Sequence, residues 1–305
     1  MKVFITGVSG YIGSAVAAEL LGAGHEVSGL TSSEGKVAEL ERSGVRPVVG
    51  DLGDPGSWRP AAARAEGLVH AAFDYGAADP VALDALAVDT LLSAAGEGAG
   101  RRLLAYTSGV WVLGNTGDRP IDEDSMPTAP FELVAWRVAH EQVVLDAAGS
   151  GGWRVTSTVI RPGVVYGERR GLMTRFFQSA EEGGASTYLG EGGNRMALIY
   201  RQDAARLYRE VVEQAAAGVF HAVDGTPMSM LDVATAAGRA AGAREAPRSV
   251  PLEEARKELG PVADALCLDQ VVAPSRSREV LGWTPRYASF REGAEPAYRE
   301  WKSGG

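Results

Sequence analysis

A short apolar run, Val3-Phe4-Ile5, stops at Thr6-Gly7-Val8-Ser9-Gly10-Tyr11-Ile12-Gly13, and residues 11 to 23 then place Ile12, Val16, Leu20 and Leu21 at helical spacing. Strand, glycine turn and helix in that order leave few folds open. Each glycine has a separate physical task. Gly7 permits the tight turn, Gly10 lets the backbone approach a pyrophosphate, and Gly13 lets helix and strand pack closely. The free N–H groups at the helix start, with the positive end of its dipole, then face the phosphates. The expectation is dinucleotide binding at the very start of the chain.

The alternation continues. Strand patterns at 26–30, 45–49, 67–71, 103–107 and 155–160 interleave with helical patterns at about 36–43, 80–97 and 131–148. That order gives a parallel sheet covered by helices, doubly wound, with ligands outside the C-terminal strand ends. After about Tyr166 the rhythm breaks at Gly183-Gly184, Gly190 and Gly192-Gly193. Helices are expected at 202–217 and 229–242, a strand at 219–223, and prolines from Pro247 to Pro296 divide the tail into short elements. The fold expected is α/β: a Rossmann-like domain over 1–166 and a small, mostly helical substrate lobe over 167–305. Within the lobe, about 195–225 is expected to return to the first domain.

Composition narrows the function classes. The chain has 305 residues, 45% hydrophobic and 23% charged, which is globular. Its 30 basic and 39 acidic residues leave a net charge of -9, which argues against a nucleic-acid surface. The lone Cys267 excludes an internal disulfide, and the scattered histidines carry no acidic residue at ligand spacing, so no metal is expected. No run approaches the roughly 18 apolar residues of a membrane span. The opening MKVFITG enters a strand pattern without a signal-peptide core. A cytoplasmic protein handling small molecules is the expectation.

The end of the second strand selects between the two nicotinamide cofactors. A carboxylate there would bind the ribose 2′-OH; a basic group would take a 2′-phosphate. Thr31-Ser32-Ser33 with Lys36 nearby favours NADP over NAD, with Glu34 lying past the strand end. Asp51 after the third strand is either an adenine contact or a turn residue.

These residues resemble the extended short-chain dehydrogenase/reductase family, the group containing nucleotide-sugar epimerases and dehydratases. The resemblance rests on Gly7-x-x-Gly10-x-x-Gly13, Asp51-Leu52, the segment Arg161-Pro162-Gly163-Val164-Val165-Tyr166-Gly167, and Leu281-Gly282-Trp283-Thr284-Pro285. Asp203 also resembles an Asp that the family places at the start of a late helix. The resemblance implies cofactor contacts from Gly7, Gly10, Tyr11, Ile12, Gly13, Thr31, Ser32, Lys36, Asp51, Leu52, Ala71, Ala72, Phe73, Thr107, Arg137, Pro162 and Val164. It implies a substrate side of Gly109, Trp111, Trp136, Met173 and Phe176, aromatic enough to suggest an apolar ligand. A homodimer, common in that family, is also implied.

The family's chemistry rests on a Tyr-x-x-x-Lys pair on one helix face and a nearby hydroxyl. Aligned through Glu141, the tyrosine position holds Leu133 and the lysine position Arg137. A leucine cannot move a proton, and an arginine keeps its charge. Gly109 falls at the usual hydroxyl position, with Ser108 and Thr107 beside it. Ser108, Arg137, Tyr75 and Tyr200 are therefore the catalytic candidates. His70 reads as a packed strand-end histidine or a catalytic acid, and His140 as a packing or solvent residue. Tyr298 and Lys302 share the catalytic spacing but lie on an amphipathic terminal helix. The function implied is an NAD(P)-dependent oxidoreductase or epimerase with a non-standard site. The alternatives are a cofactor-binding sensor or scaffold without redox turnover, and a non-redox isomerase or cyclase.

Overall fold

A computed structural model of the chain describes residues 1–97, 100–148 and 155–304. The chain divides into two compact units. The first contains Met1–Ser108, Trp136–Ile160 and Ala205–Phe220; the second contains Gly109–Ala135, Arg161–Ala204 and His221–Gly305. The chain first leaves the first unit after Ser108 and comes back for Trp136–Ile160. It leaves again at Arg161, where the expectation had the boundary at Tyr166, and returns once more for Ala205–Phe220, inside the 195–225 stretch expected to return. Residues 109–135 leave the first unit because they are held by the tail, as described below.

The first unit is built on β1 (Lys2–Thr6), α1 (Tyr11–Gly22), β2 (Glu26–Thr31), α2 (Val37–Arg42), β3 (Arg46–Val49), α3 (Pro55–Ala62), β4 (Gly67–His70), α4 (Pro80–Gly96), β5 (Arg102–Thr107), α5 (Trp136–Asp146) and β6 (Val155–Pro162). Seven strands form one sheet in the order Gly218–Ala222, β6, β5, β4, β1, β2, β3. β1 to β6 pair in parallel. This is the Rossmann-like arrangement expected. Its middle strands are covered on both faces, which is why they are unbroken apolar runs: Val3, Phe4, Ile5, Leu68 and Val69 are fully buried. Pro47 is tolerated because β3 is the edge strand. The strand order reverses between β1 and β4, so the crevice of this sheet opens at Thr6 and His70.

Local chemistry explains the element boundaries. The helix expected at 36–43 is a 3-10 turn, Glu34–Lys36, followed by α2. The helix expected at 131–148 is a 3-10 turn, Glu132–Val134, before the shorter α5. The pattern missed α3 altogether, although Asp54-Pro55 announces it. Asp54 caps the helix by accepting from Gly56 N at 3.1 Å, and Pro55 fills the first turn.

The second unit has its own core, with Tyr166, Phe176, Phe177, Met230 and Phe290 at its centre. Short strand pairs frame it, Val164–Tyr166 with Leu198–Tyr200 and Thr187–Leu189 with Arg248–Val250. Helices Thr174–Gly183, Met230–Ala240 and Phe290–Ser303 supply most of the rest. No helix among the described residues is long and apolar enough to cross a membrane.

Candidate functional site

The glycine turn is shaped by contacts that only hydrogen can tolerate. Gly7 sits at φ +70°, and a Cβ there would lie 2.8 Å from the Ala71 and Ala72 backbone. A Cβ on Gly13 would fall 2.1 Å from the Gly7 carbonyl oxygen, and Gly10 N donates to that same oxygen at 2.8 Å. Gly29 was not anticipated. It makes room in β2 for Val8, whose Cβ would be 2.4 Å from any side chain there.

α1 starts at Tyr11 and Ile12, with Gly10 as an N-cap that offers no side-chain acceptor. By contrast, α3 and α4 are capped by the carboxylates of Asp54 and Asp79. The α1 start carries no side-chain cap of this kind. Exposed Lys36 reaches the loop from the side, its Nζ 3.4 Å from Ser9 Oγ. Ser32 is also exposed. Thr31 differs from its expectation: it is buried, and its hydroxyl closes its own turn by accepting from Ser33 N at 3.3 Å. Asp51 likewise spends Oδ1 on Gly53 N at 2.7 Å, a turn-capping role, with Leu52 half-buried beside it.

At the end of β5 the side chains interlock. Arg137, in the first turn of α5, donates from Nη1 to Tyr106 OH at 3.1 Å and to the Thr107 carbonyl at 3.0 Å. Its guanidinium also lies 4.9 Å from the Phe73 ring centre and 4.4 Å from that of Trp136, two rings stacked on each other at 5.2 Å. Tyr208 OH donates to Thr107 Oγ1 at 2.8 Å. The next residue, Ser108, has a buried hydroxyl without a hydrogen-bond partner, although its N–H donates to Ile160 O at 2.8 Å.

Behind Arg137 lies a group that the sequence did not reveal. Asp84, 2% exposed on α4, meets His70 Nε2 at 3.2 Å, His140 Nδ1 at 2.7 Å and Tyr106 OH at 3.0 Å. His70 Nδ1 lies 2.6 Å from Thr6 Oγ1. Burial alone would raise the Asp84 carboxyl; the hydrogen bonds from His140 and His70 outweigh it and hold the group far below the usual range. Burial pushes the Tyr106 phenol well above its ordinary value. Two of the four histidines, His70 and His140, are thus partners of one carboxylate. The missed signal was Asp84 itself, a lone acid in the otherwise apolar stretch 81–88. Among the described residues, no group of three or more such side chains is arranged to hold a metal ion.

The remaining candidates are dispersed. Leu133 is 39% exposed, in the 3-10 turn that precedes α5 rather than on that helix. Tyr75 is 86% exposed and sets its edge against Phe73. In the second unit, Tyr200 OH donates to Glu300; burial and that carboxylate push the phenol far up. Met173 and Phe176, 1% and 2% exposed, fill that unit's core, which is the packing role rather than an open ligand surface. Gly109 opens the 3-10 turn Val110–Leu113 that carries Trp111. Gln270 fixes this turn by donating to the Val110 and Gly114 carbonyls at 2.8 and 2.9 Å. Pro162 closes β6, and Val164 N donates to Ala197 O. Tyr298 and Lys302 both bind Glu181, so the terminal Tyr-x-x-x-Lys is a surface clasp.

Comparison with known proteins bears on this arrangement. The model of the NAD dependent epimerase/dehydratase family matches residues 3–223. An uncharacterized protein of Schizosaccharomyces pombe is 30% identical, over 95% of this chain and 97% of its own. A 3-diazoavenalumate denitrifying reductase from a Streptomyces species is 27% identical, over 96% and 99%. The crystal structure of Thermus thermophilus UDP-glucose 4-epimerase in complex with NAD has a TM-score of 0.81 at 22% identity, covering 100% of both chains; it shows the shared fold.

Proposed function

We infer that this chain, which belongs to the NAD dependent epimerase/dehydratase family, is a nicotinamide-dependent oxidoreductase or epimerase acting on a small organic carbonyl or hydroxyl compound. The observation that carries this reading is the end of β5. A buried, unpartnered Ser108 hydroxyl adjoins the Thr107 carbonyl that fixes the Arg137 guanidinium. The Streptomyces relative is named a reductase, and the Thermus epimerase structure holds NAD, both consistent with it.

The residues fit a dinucleotide. The start of α1, without a side-chain cap, and the tight Gly7, Gly10 and Gly13 turn, where a Cβ would meet neighbouring backbone, suit its phosphates. Lys36 and Ser32 suit a 2′-phosphate, favouring NADP, while Asp51 and Leu52 suit adenine. Ala71, Ala72, Phe73, Thr107 and Arg137 complete the contacts proposed within the first unit. Once bound, the nicotinamide would give or take hydride. Ser108 then donates a hydrogen bond to the substrate oxygen, and Arg137 stabilises negative charge on it without releasing a proton of its own. The proton comes from water. The half-exposed, stacked Phe73 and Trp136 favour a substrate with an aromatic or apolar face.

The test begins with NADPH and NADH titrations, followed by a carbonyl screen with Ser108→Ala and Arg137→Met. Each variant should lose about 10²-fold in kcat/KM. Binding without turnover on any carbonyl would instead favour the non-redox readings, a sensor or an isomerase. A homodimer through α4 and α5, which expose Leu86 and Val143 at 39% and 46%, is part of the proposal and is read by sedimentation.

A further inference from the structure

Hydrogen counting around Asp84 gives the network one direction. A buried ionised carboxylate only accepts, so Tyr106, His70 and His140 must all donate to it. Tyr106 has one proton, and it goes to Asp84 at 3.0 Å; its oxygen is then free to accept from Arg137 at 3.1 Å. In the tautomer that carries its one proton on Nε2, His70 donates to Asp84 and its Nδ1 accepts from the Thr6 hydroxyl. Thr6 is the last residue of β1, immediately before Gly7. One carboxylate therefore orders two donor chains, Arg137 to Tyr106 to Asp84 and Thr6 to His70 to Asp84. They reach the two places where the proposed cofactor site is built.

We propose that Asp84 is a positioning residue: through Tyr106 it sets the Arg137 guanidinium, and through His70 it sets the strand end that launches the glycine turn. It touches neither cofactor nor substrate. Its role rests on the reading of Arg137 given above. An amide at position 84 would keep the shape but turn an N–H toward groups that themselves donate, so the direction of both chains would fail.

The experiment is a double-mutant cycle on dinucleotide affinity, with NADPH and NADH as probes. Asp84→Asn and Tyr106→Phe should each weaken binding about tenfold, the size of a lost hydrogen bond to a charged group. In an Arg137→Met background, Tyr106→Phe should change affinity less than about twofold. Additive losses, or wild-type affinity in Tyr106→Phe, would overturn the proposal. Tyr106→Phe removes only a hydroxyl and covers the case in which Asp84→Asn fails to fold. If the wild-type protein binds neither dinucleotide, the functional reading falls and the positioning claim is judged separately. In ¹⁵N spectra, Arg137 should show restricted guanidinium rotation that is released in Tyr106→Phe; unchanged rotation overturns the claim.

Discussion

Gly13 has the least freedom of any residue near the proposed cofactor site. With its Cβ position 2.1 Å from the Gly7 oxygen, Gly13→Ala should cost about 1–3 kcal/mol of stability and abolish dinucleotide binding. Thermal melts and titration check both, and a variant that binds normally would refute the cradle. His221 offers a second single-residue prediction. Burial depresses this imidazole to about 4; Nδ1 donates to Ala273 O at 3.0 Å while the buried Nε2 has no partner. The unfolded chain takes up this proton near pH 6.5 and the folded protein only near 4, so the unfolded state binds more protons between those values. The His221 contribution is complete above about pH 6.5 and declines as pH falls toward 4. Denaturant unfolding at pH 7 and pH 4.5 should show this decline, and His221→Gln should flatten it.

The proline-divided tail is anchored where two fragments of the family resemblance meet. Asp203, fully buried in the first turn of helix Arg201–Gln214, accepts at Oδ2 from Arg286 N at 2.8 Å and Tyr287 N at 3.4 Å. Its carbonyl accepts from Trp283 Nε1 at 3.1 Å. Separated in sequence, the Asp and the Leu281-Gly282-Trp283 segment are one joint. Asp203→Ala should cost about 2–3 kcal/mol, since it removes a buried carboxylate that accepts from two backbone N–H groups. Chemical denaturation measures that loss; a change under half a kcal/mol would show that the tail is held elsewhere. The 109–135 segment is secured in the same manner. Gln270 pins the turn carrying Trp111, and Glu123 accepts from His221 N at 3.1 Å and Arg276 N at 2.9 Å.

For the molecule as a whole, the cleanest prediction is linkage. A dinucleotide that binds only the folded chain adds about 2.7 kcal/mol at a hundredfold excess over its Kd. Melting temperature should therefore climb with concentration, at lower concentration for NADPH than for NADH if Lys36 meets a 2′-phosphate. Lys36→Ala should then erase that preference. No shift with either dinucleotide would remove the cofactor from the proposal.

Much of the first unit was legible in the sequence because its signals are local. The run Val3–Ile5, the glycines at 7, 10 and 13 and the helical spacing after them are set by backbone sterics and burial over a few residues. The expectation that Leu133 and Arg137 fall at the family's Tyr and Lys positions came from the resemblance, aligned through Glu141, and of the two only Arg137 lies on α5. What the sequence could not disclose were contacts among distant residues. Asp84, His70, His140 and Tyr106 come from α4, β4, α5 and β5, and no periodicity ties them together. Thr31 and Asp51 each accept from a backbone N–H of their own loop, contacts that the linear pattern did not show. Local sterics select strands, turns and helices, whereas the partner of a buried polar group depends on which strand ends the crossovers make neighbours. That was decided only in the folded sheet.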